Sequence, residues 1–180
     1  VDDRIVIVDY DPSWPEQFRQ LGARLREALG PFAMRIDHIG STSVVGLAAK
    51  PIVDIQISVA SLEPVSAYLP ALKAAGFRWR ADNPERTKRY FREVAGPRTH
   101  IHVRAAGSWS EQFALLMRDY LRDHPEEAAR YAALKREFAD HLGYDRHAYT
   151  DAKDPFIWAL MARANTWTQA TGWMPGPSDC

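Results

Sequence analysis

The side chains best suited to chemistry fall in three short stretches. In Lys50-Pro-Ile-Val-Asp-Ile-Gln-Ile-Ser58 an aspartate, Asp54, interrupts a β-branched run, where a carboxylate is costly to bury unless it is hydrogen-bonded, paired or bound to a cation. A strand period of two sends Asp54 and Gln56 to one face and Val53, Ile55 and Ile57 to the other. A carboxylate and an amide oxygen then lie side by side, part of a coordination sphere for magnesium. A structural aspartate paired with Lys50 or Arg104 is the alternative. Upstream, Gly40-Ser41-Thr42-Ser43 offers backbone amides and three hydroxyls that can converge on a phosphate oxygen, with Lys50 adding charge. The same residues also suit an ordinary turn in which a serine caps a short helix. Downstream, His100 and His102 share one strand face and can bind a metal, relay a proton or touch a phosphate. His38, two residues before Gly40, is placed to support the turn by hydrogen bonding.

Further basic groups surround these stretches. Arg86, Lys88, Arg89 and Arg92, with Arg98 and Arg104 nearby, interleave with Tyr90 and Phe91. They can grip a triphosphate or an RNA backbone, or form a solvated charged strand. Tyr149 and Lys153 can close the pocket from the helical side or pin the last helix to the sheet.

The elements that must position these groups follow from the periodicity. Strands are expected over Arg4 to Tyr10, Met34 to Ser41, Ile52 to Val59 and Phe77 to Arg80, and a hairpin from Lys88–Val94 and Thr99–Arg104 around Gly96-Pro97. Trp14, Phe18, Leu21, Leu25 and Leu29 make one apolar helical stripe that Gly30-Pro31 stops. Leu62 to Ala75 has helical spacing, and three more helices follow Ser108, the second opened by Pro125 and the third running from Asp154 to Thr171. Mixed strands first and helices last predict an α+β domain, a mixed sheet with flanking helices and a C-terminal helical segment. One domain is expected over 1–174, with 175–180 a frayed tail.

Composition narrows the partners. With 23 basic and 23 acidic side chains in 180 residues the net charge is zero, so any polyanion must be held by a local patch rather than by overall charge. The one cysteine, Cys180, excludes an internal disulfide and a cysteine-rich zinc site. No stretch approaches the roughly 20 apolar residues of a membrane span, and the first residues do not resemble a signal peptide. A cytoplasmic, unprocessed protein is the expectation.

The run His38-Ile-Gly-Ser-Thr-Ser-Val-Val-Gly-Leu-Ala-Ala-Lys-Pro-Ile-Val-Asp-Ile55 resembles the signature block of the GrpB family, within the polymerase-beta-type nucleotidyltransferase superfamily. The similarity continues through Arg89-Tyr-Phe, Thr99-His-Ile-His102, Asp119-Tyr-Leu-Arg-Asp-His-Pro125, Tyr131-Ala-Ala-Leu-Lys135 and Tyr149-Thr-Asp-Ala-Lys153, nearly the whole chain. In that superfamily a Gly-Ser turn binds nucleotide phosphate, and two carboxylates two residues apart on the next strand bind metal. The resemblance therefore implies that Gly40 and Ser41 bind phosphate and that Asp54 holds Mg²⁺, and it singles out Arg89 among the basic residues through Arg89-Tyr-Phe; Thr42, Ser43, Lys50, Gln56, Tyr149 and Lys153 complete the expected substrate contacts. Gln56 stands where the second carboxylate would be, removing a full charge from a two-metal site. His102 or His100 is the group nearest the role of the third carboxylate.

Three readings of function follow. The first is a nucleotide-dependent transferase acting through Asp54, His100 and His102. The second draws on distant fungal relatives with a GrpB-like domain, which are aminoacyl-tRNA-dependent cyclodipeptide synthases, and makes tRNA a partner. The third is a non-catalytic nucleotide-binding module, in keeping with Gln56 and with the family's fusion to dephospho-CoA kinase domains.

Overall fold

The computed structural model describes residues 4–180. Strands β1 (Arg35–Ile39), β2 (Val53–Val59), β3 (Phe77–Trp79), β4 (Arg89–Glu93) and β5 (Thr99–Ala105) form one sheet in the order β1-β2-β5-β4-β3. Only β2 and β5 run parallel. Helices α1 (Trp14–Leu29) and α2 (Leu69–Ala74) cover one face. Helix α3 (Trp109–Asp123) crosses the other, followed by α4 (Pro125–Leu142), α5 (Arg146–Ala152) and α6 (Asp154–Thr171).

Alternation decides which residues meet which layer. Val53, Ile55, Ile57 and Val59 of β2, Ile101 and Val103 of β5 and Phe91 of β4 join Phe18, Leu25 and Leu29 in the core under α1 and α2. Each aliphatic side chain buried there contributes about 1.5–3 kcal/mol. The intervening residues Asp54, Gln56, His100, His102 and Arg104 must then project towards α3 and the later helices. A register slip of one residue would drive the carboxylate and both imidazoles into the apolar core, so the core fixes the orientation of the polar face.

The helices around that face carry their own stops. Ser108 caps α3 by accepting from the Glu111 amide, and Asp145 caps α5 by accepting from His147 and Ala148. Gly172, left-handed at φ 69°, ends α6. Val44, Leu47 and Ala48, from the segment between β1 and β2, pack with Leu121, Tyr131 and Leu160 in a second apolar cluster. That packing fixes the loop before Asp54 to the helical layer. Among the described residues no helix is long and apolar enough to cross a membrane.

The structure corrects four expectations. Arg4 to Tyr10 is not a sheet strand: Ile5 donates to the Gly143 carbonyl, and Val8 exchanges a single pair of backbone bonds with Ala49. Its apolar side chains divide between two layers: Ile5 packs with Ala139 and Tyr149, and Ile7 packs against the helical layer, while Val8 and Tyr10 pack against the core under α1. The helix expected over Leu62 to Ala75 is confined to Leu69–Ala74, with a 3-10 turn at Val65–Ala67 before it. Pro64 and Pro70 lack the amides a longer helix requires, and Pro70 is tolerated only in the first turn. Helix α5 was not expected from periodicity, being only seven residues long.

The fourth concerns the segment 175–180, which is docked rather than frayed. Ser178 Oγ receives the Ile36 amide and donates to its carbonyl, Cys180 N donates to Ile36 O, and Asp179 Oδ2 accepts from the His38 amide at 2.9 Å. The segment thus occupies the free edge of β1, satisfying groups an edge strand otherwise leaves open.

Candidate functional site

A cavity of about 450 Å³ opens between the polar sheet face, the Gly40–Ile52 segment and helices α3 to α6, a size that suits a nucleotide-sized ligand. One wall is the turn after β1. Gly40 sits at φ 70°, ψ −172°, a region essentially restricted to glycine. A Cβ there would also lie 2.8 Å from Asp54 Oδ2, so the carboxylate fills the space that the missing side chain leaves.

The three hydroxyls that follow have different tasks. Ser41 Oγ borders the cavity and accepts from Lys135 Nζ at 2.9 Å. Thr42 Oγ1 donates to the Ile52 carbonyl at 3.2 Å, which leaves His38 Nε2 as the donor to it at 3.0 Å. His38 is stacked flat on Phe18, and burial above all, with help from Arg122, pushes its pKa down to about 4. A neutral ring with its proton on Nε2 fills this donor role, and His38 supports the turn rather than reaching the cavity. Ser43 turns away: its Oγ donates to the Gly40 carbonyl at 2.6 Å and closes the loop. Ser43 is therefore a buried brace and not one of the groups around the cavity, a correction to the expected phosphate cradle.

At the floor, β2 and β5 set Asp54 beside His100 and Gln56 beside His102. Asp54 Oδ1 lies 3.3 Å from His100 Nδ1 and 3.1 Å from His102 Nε2. Burial alone would raise Asp54, but the hydrogen bonds from both imidazoles outweigh it and hold the carboxylate well below its usual range. Burial pushes His102 down to about 4 against the pull of Asp54, so an anionic carboxylate meets a neutral imidazole at neutral pH. Tyr90, opposite His102 on β4, lies 5.3 Å from the His100 ring and 5.5 Å from the His102 ring.

Gln56 does not share this role. It is fully buried, its Oε1 accepts from Arg104 Nη1 at 2.6 Å, and its amide nitrogen faces the Glu111 carbonyl. The amide is spent on the Arg104 guanidinium, and Arg104 in turn does not pair with Asp54. Neither expectation for Gln56, substrate contact or shared metal ligation, survives this geometry.

The opposite side is cationic. Lys50 and Lys153 place their ammonium groups 4.7 Å from the Tyr149 ring, and Lys135 lies 4.5 Å from Tyr131. All three lysines border the cavity. Burial, reinforced by neighbouring cations, pushes Lys135 down to about 7 and Lys50 down to about 8, and burial also lowers Lys153. Tyr149 is fully buried, burial raises it to about 12, and its hydroxyl has no hydrogen-bond partner. Phe113, Met117 and Ile157 complete an apolar side.

The expected residues Gly40, Ser41, Thr42, Lys50, Asp54, His100, His102, Tyr149 and Lys153 are thus brought to one cavity. Arg89 is not. It lies on β4 opposite Val103, on the core-facing parity, and turns to Glu63 Oε1 in an ion pair. Lys88 pairs with Glu85 and Arg92 lies near Glu93, so the basic strand expected to grip a polyanion is largely matched by acids. Lys135 was missed as a site residue, although a signal existed. It stands four residues after Tyr131 on the buried stripe of α4, where a lysine is expensive unless used.

Comparison with known proteins identifies the family and the fold. The family model described as "GrpB protein" matches residues 4–163. The chain is 37% identical over 165 residues to UPF0157 protein YqkA of Bacillus subtilis, covering 91% of this chain but 48% of that one; it spans about half the length of that relative. The crystal structure of GrpB from Enterococcus faecalis superposes with a TM-score of 0.80 at 31% identity, over 90% of this chain and 99% of that one. The Cid1 poly(U) polymerase with MgGTP bound matches over 72% of this chain and 42% of its own, with a TM-score of 0.51 and 15% identity. The fold is therefore of the nucleotidyltransferase type.

Proposed function

This chain belongs to the GrpB family, and on that premise we propose that it binds a nucleotide or another phosphate-bearing substrate in the cavity and transfers a group from it to an acceptor. The observation that carries the reading is the convergence of Lys50, Lys135 and Lys153 on the Ser41 side of the cavity. Burial above all, and after it repulsion from neighbouring cations that include Lys153, lowers the proton affinity of Lys50 and Lys135, and a bound polyanion offsets both effects. Cid1, a protein of the same fold, binds MgGTP. The apolar side at Phe113 and Met117 suits the face of a base.

Residue roles follow from position. Lys50, Lys135 and Lys153 hold phosphate oxygens, and such fixed charges also stabilise charge that develops during transfer. Ser41 steers Lys135, and Gly40 lets the backbone approach. Asp54, His100 and His102 form the opposite edge, where lone pairs can take a proton from an acceptor or hold a cation. Magnesium, the ion expected from the superfamily, fits this edge badly. It favours oxygen ligands in an octahedron, whereas here one carboxylate stands beside two imidazoles and Gln56 is held by Arg104. No step is assigned to it.

The test is calorimetric titration with ATP, GTP, CTP and UTP, with and without magnesium. At least one nucleotide should bind, and Lys135→Met should weaken it about tenfold or more, the usual scale for a desolvated charge-assisted contact. Equal binding by the variant, or no binding by the wild type, contradicts the reading.

A further inference from the structure

We propose that Asp54, His100 and His102 form a binding site for a divalent first-row transition ion, for which Zn²⁺ is the fitting probe. The inference deepens the reading of the same cavity but rests on its own geometry. Asp54 Oδ1 is 3.3 Å from His100 Nδ1 and 3.1 Å from His102 Nε2, and the three ligand atoms all lie within 4.8 Å of one another. An ion held at about 2.0–2.2 Å by each ligand requires ligand–ligand spacings of about 3.0–3.4 Å in octahedral or tetrahedral geometry. The two measured edges already have that length.

Position and chemistry agree. All three ligands stand on the adjacent, central strands β2 and β5, whose register fixes them as neighbours, and rigid elements hold ligands better than loops. Tyr90 packs against both rings and restrains their orientation. That packing substitutes for the usual outer hydrogen bond at His102, whose buried Nδ1 has no partner. Two imidazoles and one carboxylate suit zinc, iron, cobalt or manganese and disfavour magnesium. With only three protein ligands the ion keeps open positions, the mark of a substrate-facing rather than a structural site. Those positions face the cavity, where a phosphate oxygen held by the lysines can complete the coordination.

The experiment uses tag-free, chelator-treated protein without nucleotide. Titration with Co²⁺ should give a visible d–d absorption saturating at one ion per chain, abolished by Zn²⁺ and untouched by a large excess of Mg²⁺. His100→Ala and Asp54→Ala should each weaken binding about 100-fold or more, since each removes one of three ligands. If the ligand variants fail to fold by circular dichroism, the wild-type spectrum decides: absence of the band, or its loss to magnesium on equal terms, overturns the proposal. Unchanged Co²⁺ binding in the folded variants also overturns it. Because no nucleotide is present, failure here leaves the lysine-based reading intact, and failure of nucleotide binding leaves this one intact.

Discussion

Asp54 is kept ionised by its two imidazole neighbours, and Gly40 exists to make room for it. The consequence is a sharp prediction for Gly40→Ala. The new Cβ would meet Asp54 Oδ2 at 2.8 Å in a backbone conformation reserved for glycine. The cost should be about 1–3 kcal/mol in chemical denaturation, and nucleotide binding should fall with it. Ser43→Ala separates bracing from contact in the same turn. Its hydroxyl serves only the Gly40 carbonyl and does not face the cavity. Stability should drop by about 1 kcal/mol while nucleotide affinity in the folded variant stays within a factor of about 2; a much larger loss of affinity at full stability would place Ser43 on the ligand after all. His100 and His102 were legible because two histidines two apart on a strand must share a face. Lys135 was less so, since a lysine on a helix stripe is usually read as one that reaches solvent, and tertiary packing reveals that this one ends at Ser41 Oγ and the Ala48 carbonyl.

At the scale of elements, strand alternation carried most of what the sequence could tell. It placed Asp54 on the polar face, and the same rule explains why Arg89 fails: odd residues of β4 face the core side, so Arg89 reaches Glu63 while Tyr90 and Arg92 oppose His102 and His100. The β4–β5 hairpin was readable from its local turn, but the β2–β5 pairing was not, because the register that unites Asp54 with His100 joins residues 46 positions apart, 100 minus 54. Nor was the docking of 175–180, whose polar side chains look like an unstructured tail until the β1 edge is beside them. Asp179 there accepts from both the His38 amide and Arg118 Nη1, each at 2.9 Å. Asp179→Ala should cost about 1–3 kcal/mol in thermal or denaturant unfolding, the penalty for leaving buried donors without an acceptor. A variant as stable as the wild type would mean that this edge contact is dispensable. The segment from Arg4 to Tyr10 teaches the converse lesson. Its alternation is real, but its backbone partners are Gly143, after α4, and Ala49, in the segment between β1 and β2, rather than a strand of the sheet.

The whole molecule is electrically neutral, yet its charges are segregated: Lys50, Lys135 and Lys153 border one cavity while the arginine-rich β4 is matched by glutamates. Binding of a polyanion should therefore depend on pH in a definite direction. Lys135 and Lys50, pushed down to about 7 and about 8, carry charge in acid and lose it as pH rises, so affinity should fall between about pH 7 and pH 9. A bound phosphate favours the charged lysines, so complex formation near pH 8 must take up protons. The most direct measurement is calorimetric titration of the binding nucleotide near pH 8 in two buffers of different ionisation enthalpy, for the wild type and Lys135→Met. The cationic-cavity account predicts proton uptake by the wild type, reduced uptake and at least about tenfold weaker binding in the variant; proton release, or an identical response from the two proteins, would contradict it.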